Sequence, residues 1–291
     1  MNPEKSGFDA ASGGPFTDVP TESCAHTVIL PRLRPTGVIA LEIWDLEVRG
    51  VTLFAAREEP DFGARLVEGV ESIRRGSART RSGFKVPDAC RHIDAIFAGG
   101  GGLAGPIEDA LRAIGLPFHS AGAFAGEAGG LDLLDAMGAR SGLVVDVGQS
   151  AIKISGRSFR RRFPRDLTRL PISRPLGDRG EPRDPFRSFV AEALTLAMRE
   201  VGEADAIVLA LPAELDDAGC PEGSSYPGLQ GDGDLVAAVL ARAGIPGARA
   251  ALLNDAELAA LSARRVVPAE STALVLTIGF GIGGALLLPR G

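Results

Sequence analysis

The sequence predicts an α/β protein, and three observations carry that expectation. Apolar residues fill 45% of its 291 positions while aromatics supply only 5%. The 38 glycines suit a fold with many tight turns. Short apolar runs of strand length alternate with stretches whose apolar residues recur at helical spacing. A chain of this length can bury a sizeable core, as one large domain or as two lobes.

Charge and cysteine usage exclude several classes. A net charge of −6 and the lack of a dominant basic tract disfavour nucleic acid as a partner. Arg160-Arg161-Arg162 reads as part of a solvated loop. Cys24, Cys90 and Cys220 are too scattered for a disulfide framework or a zinc cluster, which fits a reducing cytoplasm. No apolar run approaches the roughly 18 residues of a membrane span, and the N-terminus lacks a signal-type core, so a soluble protein with no membrane partner is expected.

Taken in order, residues 1–20 are rich in Gly, Ser and Pro without periodicity and are expected to be a mobile tail. Thr27-Val28-Ile29-Leu30 is an apolar run, and residues 36–56 hold two more around Trp44, read as a pair of strands. Leu66, Val67, Val70 and Ile73 mark an amphipathic helix over 62–75. Residues 93–98 are a strand that feeds Gly99 to Gly102, and Pro106 then opens a helix over about 107–114. That order sets free backbone amides against a ligand. A second helix spans 127–137. Residues 157–185, dense in Arg and Pro, are expected to be a long loop. Helices over 186–201 and 235–243 flank a buried strand, 206–211, which ends at Pro212, and a glycine-rich loop, 216–233. A strand at 248–253 ends at Asn254-Asp255-Ala256-Glu257, where a helix begins.

Leu143 to Ile154 holds the most informative pattern. An apolar run delivers Asp146, then Gly148-Gln149-Ser150, then a second alternating run, which reads as two strands joined by a tight turn. Gly148 lets amides approach an anion, Gln149 and Ser150 add donors, and Asp146 can hold the Mg²⁺ that bridges phosphates. Residues 273–288 repeat the unit around Gly279-Phe280-Gly281-Ile282-Gly283-Gly284. There is no Gly-Lys-Ser/Thr phosphate loop and no dinucleotide fingerprint at a strand–helix junction.

These two glycine hairpins and the strand-ending Asn254-Asp255 resemble the actin-like ATPase and sugar-kinase superfamily, and within it the ROK (repressor, ORF, kinase) family of glucokinase-like enzymes. Asp146 to Ser150 resembles the first phosphate motif, with Gln149 in place of a glycine. Thr277 to Gly284 resembles the second. Leu253-Asn254-Asp255-Ala256 is similar to the family's Asn-Asp-Ala segment, with Glu257 where another asparagine is usual. Residues 96–104 resemble the family's adenosine motif, and residues 23–28 its Glu-x-Gly-His segment, with the acid displaced to Glu22. Both lie upstream of the first phosphate motif, whereas the family places them downstream. The family's cysteine-rich zinc motif is absent, so no structural zinc is expected.

The resemblance implies a circularly permuted, two-lobed actin-like (ribonuclease H-like) fold. Residues 21–140 and 271–291 would make one lobe, and residues 141–270 the other. It also implies ATP-dependent phosphorylation of a sugar hydroxyl with Mg²⁺ as cofactor. Asp255 would be the general base. Asn254, Pro212, Glu22 and His26 would meet the sugar. Asp146 would hold the metal, directly or through water. Gly148, Gln149, Ser150, Lys153, Thr277, Gly279, Gly281 and Gly283 would face the phosphates, and Gly100, Gly101 and Gly102 the adenosine. The alternatives are a non-catalytic sugar or nucleotide sensor, and an activator ATPase of the same superfamily. Each residue also has a structural use: Asp255 suits a helix N-terminus by charge alone. A homodimer is left open. If the order is permuted, the last strand must pair with one drawn from residues 27–56.

Overall fold

A computed structural model of the chain describes residues 62–77, 91–103, 105–171, 182–216, 218–222, 226–279 and 282–290, together with the backbone of short strands before residue 53. Those strands are β1 (Phe16–Thr17), β2 (Arg34–Pro35), β3 (Val38–Leu41), β4 (Glu47–Val48) and β5 (Val51–Thr52). Next come α1 (Phe62–Arg74), β6 (Ala95–Gly99), α2 (Pro106–Arg112), β7 (Phe118–Ser120) and α3 (Glu127–Ala136). The middle of the chain forms β8 (Gly142–Val147), β9 (Ala151–Gly156), β10 (Phe159–Pro164), α4 (Asp184–Val201) and β11 (Ala206–Leu211). After β12 (Glu214–Leu215) and β13 (Pro221–Glu222) follow α5 (Leu235–Arg242), β14 (Arg249–Asn254), α6 (Asp255–Ala263), β15 (Ala273–Ile278) and β16 (Ile282–Leu287).

Two five-stranded sheets result, in the orders β10-β9-β8-β11-β14 and β3-β16-β15-β6-β7. They share one plan. The central strand (β8 or β15) turns back on an antiparallel neighbour (β9 or β16), which pairs antiparallel with an edge strand (β10 or β3). Two parallel strands extend the other side, β11 and β14 in the first sheet, β6 and β7 in the second. Parallel neighbours need crossovers, supplied by α4 and α5 in the first sheet and by α2 between β6 and β7 in the second, while the connection from β6 to β15 runs through the whole first sheet. The partner of the last strand is β3, with Gly284 opposite Leu41 and Leu287 opposite Val38. The second sheet thus pairs its last strand with one drawn from residues 27–56, as expected from the sequence.

Strand alternation decides which residues face which layer. In β8, Leu143, Val145 and Val147 meet α4 and α5, through Phe186, Val190, Leu194, Val239 and Leu240. Val144 faces the opposite way, toward Leu133 and Leu134 of α3. In β15, Leu274, Leu276 and Ile278 meet Phe62, Leu66 and Val70 of α1, while Ala273 and Val275 meet α6.

The middle layer is α3 and α6, each leaving the outermost parallel strand of one sheet and leading to the central strand of the other. Buried on nearly every side, α6 turns Ala256, Ala259, Ala260 and Ala263 to the second sheet and Leu258 and Leu261 to the first. Its contact with α3 is close because α3 offers glycines. A Cβ on Gly129 would lie 2.4 Å from Leu261 Cβ and 2.5 Å from the Ser262 nitrogen. The Gly129 N–H also donates to Ser262 Oγ at 2.8 Å.

Three expectations need correction. The Arg-rich stretch expected as a loop contains β10, an edge strand of the first sheet. Its arginines are solvated, as edge-strand charges commonly are, while Phe159 and Phe163 rest against the core. The second of the two apolar runs in 36–56 does not pair with the first: β3 joins the second sheet, and β4 pairs with β5. Within the stretch expected to be a tail, Phe16–Thr17 pairs with Arg34–Pro35.

Candidate functional site

The turn after β8 carries the first cluster. Asp146 and Lys153 lie opposite each other across the β8–β9 pair, and Lys153 Nζ donates to Asp146 Oδ2 at 2.8 Å. Both side chains are only 15% exposed, so the pair lies largely inside protein. The Gly148 N–H closes the turn on Ala151 O at 2.9 Å. The amides of Gln149 and Ser150 donate to no group among the described residues. Two such neighbouring amides beside a cation are what an anion requires.

Asp255 is the first residue of α6. Its placement follows from a capping box: Asn254 Oδ1 accepts from the Ala256 N–H at 2.8 Å, and Glu257 Oε2 accepts from the Asn254 N–H at 3.0 Å. Asn254 Nδ2 donates to Ala213 O at 2.9 Å, which ties the segment after Pro212 to the start of α6. Asn254 and Pro212 therefore stand beside Asp255 with the Asn254 amide engaged in structure, and Glu257 completes the cap. Burial, and then the charge of Asp146, push the Asp255 carboxyl up to about 7, against the opposing pull of Lys153, the Ala256 amide and the Thr277 hydroxyl. Asp146, Lys153, Asp255 and Thr277 thus share one electrostatic neighbourhood, at the meeting of the two sheets.

The second hairpin contributes Thr277 and Gly283, opposed in the β15–β16 register. A Cβ on Gly283 would sit 2.3 Å from Thr277 Oγ1 and 3.1 Å from Asp255 Oδ1. Glycine is required here so that the second sheet can close on the acid. Thr277 Oγ1 is buried against the Asp255 carboxyl, whose value it lowers, but it forms no well-aligned hydrogen bond among the described residues. A buried hydroxyl without a well-aligned partner, beside a raised carboxyl, suits a polar ligand or water. Gly279 has open space around it.

The Gly99–Gly102 loop abuts this hairpin. Gly100, at φ 111°, leaves no room for a Cβ, which would fall 2.4 Å from Ile278 O. The Gly102 N–H donates to the same carbonyl at 2.7 Å, and the Gly100 N–H to Gly122 O at 2.7 Å. The Gly102 amide is therefore spent on joining the loop to β15 and the Gly100 amide on the turn after β7, while Gly101 faces open space. Glu22, His26 and Gly281 lie outside the described residues.

Sequence reasoning placed Tyr226 only within the glycine-rich loop 216–233 and missed Arg165; both are buried behind the β8–β9 turn. The chain's single tyrosine was the available signal for Tyr226. Arg165 is hidden among many arginines. Away from the cleft, a hollow of about 460 Å³ opens where the far end of the β9–β10 hairpin meets α3, lined by Glu127, Arg157, Arg160 and Arg265. Each of those arginines is paired with a carboxylate of α3 (Arg157–Asp135, Arg160–Glu127, Arg265–Asp132), so the hollow holds no uncompensated charge. Among the described residues no three of His, Cys, Asp and Glu gather as a metal site, and no helix is long and apolar enough to cross a membrane.

Comparison with known proteins adds little. No family model and no curated protein matches the chain. A solved structure described as AbyA1, a tetronic acid condensing enzyme, is similar at 16% identity and a TM-score of 0.29, over 86% of this chain and 99% of that one. A likeness at that level carries no argument about fold or chemistry.

Proposed function

We propose that the chain is a circularly permuted, two-lobed protein of the actin-like ATPase type, and that it transfers a phosphoryl group from ATP to a sugar hydroxyl in the manner of the ROK kinases it resembles. One observation carries the reading. Two sheets of matching strand order bring a turn with unengaged amides, an acid at the start of a shared helix and a buried hydroxyl to a common place. The β3–β16 pairing supports the permuted order.

The residues fit Mg·ATP. Asp146 offers a carboxylate, the Gln149 and Ser150 amides offer donors, and Thr277 adds a buried hydroxyl beside Asp255. With a single carboxylate at that point, a magnesium ion would take its other ligands from water and phosphate, as it commonly does. Mg²⁺ would supply charge neutralisation on the transferred phosphoryl group. Lys153 would add a second positive charge beside Asp146. Asp255 would accept the sugar hydroxyl proton on its carboxylate, and a value near 7 suits a base working near neutrality. The Gly283 cradle would fix that carboxylate against Thr277, and the capped start of α6 would fix its direction.

A second reading has its own support. The Lys153 ammonium already neutralises Asp146, and the Asn254 amide is engaged in the cap and with Ala213, which favours a sensor that binds without turnover. ADP release with Mg·ATP, measured over a panel of hexoses, amino sugars and acylated amino sugars, separates them. Sugar-stimulated ADP release is the expected result. Binding without ADP release would leave the sensor.

A further inference from the structure

The β8–β9 turn is held from its protein side by two residues far from it in sequence. The Tyr226 hydroxyl donates to Gly148 O at 2.7 Å. Arg165 Nη1 donates to Gln149 O at 3.0 Å, and the Arg165 backbone N–H donates to Ser150 O at 2.9 Å. Three consecutive carbonyls of one turn are thereby engaged. Arg165 is itself fixed: Nε donates to Leu170 O at 2.8 Å and Nη2 to Pro171 O at 2.6 Å. Its guanidinium carbon stacks 3.7 Å from the Tyr226 ring centroid, and that ring leans on Phe186 at 4.8 Å. Burial pushes the Tyr226 phenol up to about 12, so it remains a donor across the physiological range.

Peptide planarity gives these bonds a directional consequence. The C=O of residue i and the N–H of residue i+1 belong to one rigid plane and point opposite ways. Tying Gly148 O inward turns the Gln149 N–H outward, and tying Gln149 O inward turns the Ser150 N–H outward. Those are the two amides that find no partner among the described residues. We propose that Arg165 and Tyr226 are positioning residues, which aim the Gln149 and Ser150 amides at a polyphosphate by holding the turn's carbonyls from behind. The inference rests on the reading of this turn as a phosphate site.

The test is calorimetry on the full chain with Mg²⁺ and three probes: ATP, inorganic triphosphate and adenosine. Tyr226→Phe removes only the hydroxyl and keeps the ring for Arg165 and Phe186. It should weaken triphosphate and ATP by about threefold to tenfold, the worth of one hydrogen bond, and leave adenosine within about twofold. Arg165→Lys, which keeps the charge but loses the planar fork, should show the same selectivity and serves if the first variant is poorly folded. Equal losses for adenosine and triphosphate would mark a general structural role and overturn the proposal. Undiminished triphosphate binding in a folded variant would overturn it too. Wild-type protein that binds neither ATP nor triphosphate would instead overturn the phosphate-site reading itself, and this inference with it.

Discussion

Asp255→Asn removes a proton acceptor while keeping the shape of the side chain that opens α6. In the folded wild type the carboxyl is held well above its ordinary 3.8, at about 7, chiefly by burial and then by the charge on Asp146. A carboxyl that keeps its proton in the folded state costs stability wherever the unfolded chain has already released its own. Its contribution is therefore fully present below about pH 4, and is lost progressively as pH rises to about 7. At about 1.36 kcal/mol per pK, the gap sets a ceiling of about 4 kcal/mol on that loss. Losing a negative charge at a helix N-terminus returns roughly 0.3–1 kcal/mol, and solvent reaching the carboxyl lowers the ceiling further. The asparagine variant should thus exceed wild type by about 1–3 kcal/mol at pH 8 and match it near pH 4, measured by urea denaturation. Phosphoryl transfer should fall by about 10²–10⁴ in kcat. An equal stability difference at both pH values would refute the claim of a protonated carboxyl, and wild-type turnover would refute the proton-acceptor role.

Other perturbations follow from the same geometry. Gly283→Ala forces a methyl between Thr277 and Asp255 and should depress turnover at least tenfold on the order-of-magnitude scale for misplaced catalytic groups, with ATP affinity less affected. Gly129→Ala meets α6 at Leu261 and Ser262 and should cost about 1–3 kcal/mol, read as a lowered thermal midpoint. Lys153→Met removes the cation that pulls the Asp255 value down, so the acidic limb of the pH–rate profile should move to higher pH. Asp232→Asn breaks a buried carboxylate's pairing with Arg187 and Arg183, and should cost about 3–5 kcal/mol in chemical denaturation.

Much of the fold was legible because its central strands are short apolar runs bounded by turn residues. Leu143 to Val147 and Ala273 to Ile278 are apolar on both faces, as strands covered on both sides must be, and the glycines after them mark the turns. β10 was not legible, since Arg160, Arg161 and Arg162 outweigh Phe159 and Phe163 in any reading by composition, although those two phenylalanines touch the core. Asp146 and Asp255 stood out in the sequence because one lies near the end of an apolar run and the other just past one. The capping box of Asn254 and Glu257 was equally local, yet its cost became visible only in three dimensions: the Asn254 amide reaches Ala213, a contact no nearby spacing announces. Arg165 and Tyr226 are further examples, since their meeting with residues 148–150 depends on the whole first sheet being folded.

The alanine face of α6 has a kinematic consequence. Four small side chains bed this helix on β15 and β16, and Gly283 presses against the carboxyl at its first residue. Asp255 therefore rides with the second sheet, although the strand that delivers it, β14, belongs to the first. Asp146 rides with the first sheet. A swing of one sheet against the other would leave the Asp255–Thr277 neighbourhood unchanged and alter the separation of the two carboxyls. That separation is the coordinate to label, for example by distance measurements between spin probes placed on β9 and β16.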